Sequence, residues 1–190
     1  MRKFASPRTS LPGLAVVLIA TLAIAGCHNQ PAHPDEKSAV TNSLNGSSLN
    51  DVSVSQDRDK GVMTLTGNVA SDDQKTQAET LAKQAAPDYT IADEIGVRPP
   101  GAEGQAGSVA SKLDSAIEDN FKAAIKAHKA LDDQSISVSA KNGTLVLKGT
   151  VKTAAQKKEA AALAKQVPNV QQVVNELEVK PEKHSTSASS

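Results

Sequence analysis

The chain reads as an α+β protein of two tandem units, each running helix, strand, strand, helix, strand. Three observations predict this. The first is a duplication. A shift of 82 in the numbering lays Gly61, Leu65, Gly67 and Val69 on Gly143, Leu147, Gly149 and Val151, and Leu81-Ala82-Lys83-Gln84 on Leu163-Ala164-Lys165-Gln166. The second is strand alternation with a turn signal: Ile136 and Val138 alternate with serines and lead to Asn142-Gly143, a pair that tolerates positive φ and so closes hairpins. The third is a helical stripe, Ala160, Leu163, Ala164 and Val167, at the spacing of a core-facing helix. Two units of this size fit small paired domains rather than a solenoid, which needs at least three repeats.

The elements follow in order. Residues 1–26 read as an export signal: Arg2, Lys3 and Arg8 precede an apolar run from Leu11 to Ala25, which ends in small residues before Cys27. The run is shorter than the ~20 apolar residues of a spanning helix. Residues 27–34 read as a flexible tether, and 35–99 as the first unit. Its opening helix is cut short by Asn45-Gly46-Ser47-Ser48. Its hairpin loop, Asp57-Arg58-Asp59-Lys60, is two residues longer than the Asn-Gly turn of the second unit. Ala78, Leu81, Ala82 and Ala85 mark its second helix, and Ile91, Ile95 and Val97 its last strand. Residues 100–108, rich in Pro and Gly, read as a linker. Residues 109–181 form the second unit. It opens on a long stripe of Val109, Leu113, Ile117, Phe121, Ile125, His128 and Leu131. Leu145, Leu147 and Val151 continue its inward face, and Val173, Leu177 and Val179 form its last strand. Gly149 shares the inward face, which predicts close approach by a packed helix. Residues 182–190 read as a disordered tail.

Composition narrows the function. Lys+Arg and Asp+Glu are both 21, which excludes a strongly basic nucleic-acid arm. The aromatic residues are Phe4, Tyr89 and Phe121 alone, too few for a base-stacking platform, so no nucleic-acid partner is expected. The single cysteine, Cys27, excludes an intrachain disulfide. Ile24-Ala25-Gly26-Cys27 resembles a bacterial lipobox. That resemblance implies cleavage before Cys27 and acyl chains such as palmitate on its thiol. By resemblance to lipoprotein sorting, His28 after the cysteine implies the periplasmic face of the outer membrane. An ordinary secreted protein with a chance cysteine is the plainer alternative.

The residues Gly143-x-Leu145-x-Leu147-x-Gly149-x-Val151, Ala160-x-x-Leu163-Ala164 and Val170-x-x-Val173-x-Asn175-x-Leu177-x-Val179 resemble a BON domain. The first unit carries the same pattern in Gly61-x-x-x-Leu65-x-Gly67-x-Val69 and Ala78-x-x-Leu81-Ala82. The resemblance implies, for each unit, a small three-stranded mixed sheet with two helices on one face. It also implies an envelope protein that associates with phospholipid membranes and supports envelope integrity or stress tolerance. The family's glycine before the last strand is absent; Asp88 and Asn169 stand near that place. Asparagine tolerates left-handed backbone, which favours an intact second unit over the first.

The charge distribution offers one binding signal. Residues 35–99 carry 6 basic and 11 acidic residues, whereas 109–181 carry 11 basic and 8 acidic. On a helix Lys122, Lys126 and Lys129 fall within about 60° of one another, with Phe121 and Ile125 at the edge of the strip. Basic residues beside apolar ones suit an anionic bilayer. The alternative makes Phe121 and Ile125 core and the lysines a solvated face. A second functional class is an adaptor that binds other envelope proteins through exposed sheet edges. Catalysis has no support: no Cys-x-x-Cys, His-Glu-x-x-His or Gly-x-Ser-x-Gly occurs. His128 reads as a satisfied structural histidine, and Asp72-Asp73 and Asp132-Asp133 as capping or turn residues. His28 and His33 lie beside Cys27, but acylation would consume the thiol, so no metal or cofactor is expected.

Overall fold

The computed structural model describes residues 32–180. The signal segment 1–26, Cys27, His28, most of the tether and the tail 182–190 lie outside the described residues.

The first repeat comprises α1 (Lys37–Gly46), β1 (Val52–Asp57), β2 (Val62–Val69), α2 (Asp72–Ala85) and β3 (Thr90–Val97). The second comprises α3 (Glu103–Ala127), β4 (Ser135–Lys141), β5 (Thr144–Val151), α4 (Ala154–Ala164), β6 (Gln172–Asn175) and β7 (Glu178–Val179). In each sheet the first pair is antiparallel and the second parallel, with β2 or β5 at the centre. The duplication holds to the register. Val62 faces Thr90 in one sheet and Thr144 faces Gln172 in the other, each displaced by the same 82 residues.

Local chemistry explains the element ends. Asn142 and Gly143 adopt φ of +48° and +83°, which closes β4 onto β5 in two residues. Ser71 accepts a hydrogen bond from the Gln74 N–H at the start of α2. Thr153 and Gln156 exchange bonds as a capping box at the start of α4. Asn169 takes the left-handed conformation at φ +67°, as the substitution of asparagine for glycine predicts. The first repeat is nevertheless the one with the unbroken last strand, against the expectation that it is the degenerate one.

Both helices of each repeat cover one face of its sheet. Val40, Leu44, Ala78 and Ala82 bury against Val52, Met63, Leu65 and Ile95. Ile117, Phe121, Ala160 and Ala164 bury against Leu145, Leu147 and Val151. The opposite faces meet each other: Val62, Ala92, Val146 and Val174 form a small apolar cluster between the sheets. The result is four layers, helix, sheet, sheet, helix.

Gly67 and Gly149 occupy equivalent places at φ of +128° and +116°. An added Cβ would stand 2.1 Å from the Asp51 carbonyl oxygen and 2.0 Å from that of Ser135. The close approach at Gly149 is therefore made by the backbone entering the neighbouring strand, not by a helix. At Gly143 an added Cβ would meet the Gln171 side chain at 3.0 Å.

Two segments differ from the sequence reading. α3 starts at Glu103, inside the stretch read as linker. Residues 33 and 34, read as tether, are bound to the first repeat. The His33 N–H donates to the Arg58 carbonyl at 3.1 Å, and Arg58 Nε returns a bond to the His33 carbonyl at 3.0 Å. Gln56 Nε2 and the Tyr89 hydroxyl both donate to the Pro34 carbonyl, and the His33 ring lies against Tyr89 at 5.2 Å.

Candidate functional site

α3 is the element on which the two repeats differ most. The opening helix of the first repeat has 10 residues and that of the second has 25. A ten-residue helix suffices to cover the first sheet, so much of α3 has no sheet of its own beneath it. The stripe divides accordingly. Ile117 and Phe121 are buried in the second core, whereas Val109 is 58% and Leu113 41% exposed.

The C-terminal half carries the lysines. Lys122, Lys126 and Lys129 are all exposed. Lys122 pairs with Glu118 at 3.1 Å, one turn back. Glu118 also accepts from the Ala140 N–H at 3.0 Å. That bond, then Lys122, holds its carboxyl below the usual range. Lys129 lies in the turn beyond the helix end at Ala127, so helical spacing does not place it. Phe121 does not join a lipid-contact strip: it is fully buried, because its ring fills the space between α3 and the second sheet. Ile125 is half-buried against the same core. His128 caps α3. Its Nε2 lies 3.3 Å from Glu159, and its buried Nδ1 has no partner among the described residues, which leaves the ring half satisfied there.

The N-terminal half of α3 overhangs the end of β3. Between them lies a groove of about 590 Å³, lined by Val97, Arg98, Ala106, Val109, Leu113 and Val170 among others. Sequence reasoning missed it. The available signal was the mismatch in length between the two opening helices.

A second arrangement missed by the sequence joins the repeats. The Gln172 carboxamide accepts from the Asp93 N–H at 2.8 Å and donates to the Ile91 carbonyl at 2.8 Å. Thr144 donates to the Asp93 carbonyl, and Asn142 Nδ2 to the Glu94 carbonyl at 2.8 Å. In return Lys60 pairs at 3.1 Å with Glu176, whose side chain is almost wholly buried. Among the described residues no three potential ligands gather to hold a metal ion, and no helix is long and apolar enough to cross a membrane.

A family model, that of the BON domain, matches residues 37–99 and 113–181. The chain belongs to the BON-domain family. Each match coincides with one helix-and-sheet repeat. The chain is 31% identical over 128 residues to Osmotically-inducible protein Y of Escherichia coli (strain K12), covering 67% of this chain and 62% of that protein. It thus spans less than two thirds of that relative. It is 28% identical over 124 residues to an uncharacterised protein in the gshII 5' region of Anaplasma centrale, covering 65% of this chain and 80% of that one. Among solved structures it is similar to CdsD, a structural protein of the type III secretion system of Chlamydia trachomatis, at 13% identity and a TM-score of 0.30, over 78% of this chain and 63% of that one. A likeness at that level carries no argument about function. As a BON-family chain, this molecule presents its two repeats fused back to back, with α3 the longest helix among the described residues.

Proposed function

We propose that this BON-domain protein is a non-enzymatic envelope module, pinned to the periplasmic face of the outer membrane by acylated Cys27, which contacts anionic phospholipid and serves under osmotic or envelope stress. The observation that carries the lipid contact is the exposure of Lys122, Lys126 and Lys129 on the outer side of the second repeat, where of these three Lys122 alone is paired to a carboxylate among the described residues. Near an anionic surface each lysine is worth ~1 kcal/mol, so three make a weak contact that a lipid anchor renders sufficient by raising local concentration. The contact is electrostatic, because Phe121 is unavailable for insertion. Attachment of residues 33 and 34 to the first repeat supports the reading. Cys27 and His33 are six residue steps apart, so even a fully extended chain holds the first repeat within about 20 Å of the anchor. The name of the Escherichia coli relative supports the stress assignment.

The test is flotation of the full chain carrying Cys27→Ser with vesicles that contain or lack anionic lipid. Flotation that depends on anionic lipid and is abolished by Lys122→Glu, Lys126→Glu and Lys129→Glu together is the expected result. Unchanged flotation of the triple variant removes α3 from the contact. Absence of flotation, with an envelope protein co-purifying, replaces lipid contact with the adaptor role.

A further inference from the structure

The groove beneath the N-terminal half of α3 has a charge pattern that its apolar walls do not explain. Arg98 enters at its end, half-buried, passing between Gly96 and Gly107. Its Nη1 donates to the Val97 carbonyl at 3.1 Å and its Nη2 to Asn142 Oδ1 at 3.3 Å. Both acceptors are neutral, and among the described residues no carboxylate pairs with it. A guanidinium has five N–H donors, so most of them stay unengaged at the groove's mouth. Lys75 is the other cation of the lining, and Asp72 and Asp114 are its acids. Asp114 is committed elsewhere: its two oxygens accept the N–H groups of Asn142 and Gly143 at 2.9 and 3.1 Å. Asp72 is exposed in the first turn of α2.

The walls are aliphatic. Val109 and Leu113 look into the groove from α3 while remaining largely exposed, and Val97 and Val170 face them. Apolar walls with a guanidinium that no carboxylate pairs at the mouth form a binding site rather than an unfinished core, and the volume lies in the range of small-ligand sites. We propose that this groove binds a single-chain anionic amphiphile, a free fatty acid, with its carboxylate on Arg98 and its chain along Val97, Val109 and Leu113. The carboxylate matches the planar guanidinium fork, and the chain covers the two large aliphatic side chains that α3 leaves exposed. The site is separate from the lysine surface farther along the same helix and stands whether or not that surface meets a bilayer.

The experiment uses the full chain with Cys27→Ser and the fluorescent fatty acid cis-parinarate, kept below its micelle-forming concentration, with its methyl ester as the uncharged control. Saturable binding of one acid per chain is expected, with the ester bound about ten-fold more weakly. Val109→Asp should weaken binding at least about ten-fold and leave the melting temperature unchanged, since that side chain is exposed. Arg98→Gln should erase the preference for acid over ester. The triple lysine-to-glutamate variant should bind as before. No saturable binding, binding indifferent to both Val109→Asp and Arg98→Gln, or loss of binding in the triple lysine variant would each overturn the proposal. So would a concentration-dependent dimer, lost in Val109→Asp, from a chain that takes up no probe.

Discussion

The last strand of the first repeat runs unbroken from Thr90 to Val97, whereas its counterpart in the second stops at Asn175 and resumes at Glu178. The residues stand in equivalent places and pair with the central strand in the same register. The difference lies at the free edge. β3 receives side chains from the other repeat on the outward peptide groups of Ile91 and Asp93. The Gln172 carboxamide both accepts and donates there, as the peptide group of one more strand would. At the place equivalent to Gln172 the first repeat has Thr90, too short to offer a carboxamide. What β6 and its continuation receive is a bond to a side chain, Lys60 on Glu176. Duplication has preserved the ladders, while the seam between the repeats has become one-sided.

The largest effect should come where the repeats remain identical. Gly67→Ala and Gly149→Ala each force a Cβ into a backbone carbonyl at about the same distance, in a conformation that L residues rarely adopt. Each should cost roughly 3 kcal/mol, read as a drop in the urea midpoint. If the repeats fold as one cooperative body, both variants should shift a single transition by similar amounts. Two transitions, with only one displaced by each variant, would break the equivalence and show the seam to be weak.

The one-sided seam gives the next effect. Gln172→Leu removes both bonds to β3 and leaves the Asp93 N–H and the Ile91 carbonyl without partners. Unsatisfied buried groups cost about 1–3 kcal/mol, so a loss of about 2 kcal/mol is expected. The sharper readout is amide exchange: protection should fall at Asp93 and hold at Leu65 in the same sheet. Equal loss at both would mean that the edge bond holds the whole sheet rather than its rim.

Much of this fold was legible because burial imposes periodicity. Ala78 and Ala82, Ala160 and Ala164, and the inward residues of β5 declare themselves by spacing alone, and all are buried. The stripe of α3 was legible as a stripe but not as two halves, since periodicity states which residues share a face and not how far the sheet beneath extends. Val109 and Phe121 thus look alike in sequence and differ wholly in exposure. Reading Phe121 as a bilayer contact fails for the same reason. Gln172 was invisible because a single carboxamide acting as a strand leaves no pattern. Arg98 reads in the repeat only as the basic residue before a proline, matched by Lys180, and its significance lies in the lack of a carboxylate partner among the described residues, which only three dimensions reveal.

The smallest effect sharpens the comparison most. Asp93 and Asn175 are equivalent, and each accepts the N–H two residues on through Oδ1. Asn175 also donates Nδ2 to the Lys157 carbonyl at 2.9 Å, whereas an ionised aspartate has no proton to offer the corresponding carbonyl of Lys75. Burial pushes the Asp93 carboxyl above its usual range, against the lowering effects of the Ile95 N–H and Lys75. An acid that holds its proton more tightly when folded favours the folded state below its ordinary pKa. That advantage is lost as the pH rises through the raised value. Ionised Asp93 is therefore a cost at neutral pH that the second repeat has removed with asparagine. Asp93→Asn should raise stability at pH 7 by about 1 kcal/mol, and the gain should shrink toward zero as the pH falls below about 4. Urea midpoints at the two pH values measure both. A variant no more stable than the parent at pH 7 would mean that Lys75 and Lys83 already compensate the buried charge, and that the two repeats have reached the same balance by different residues.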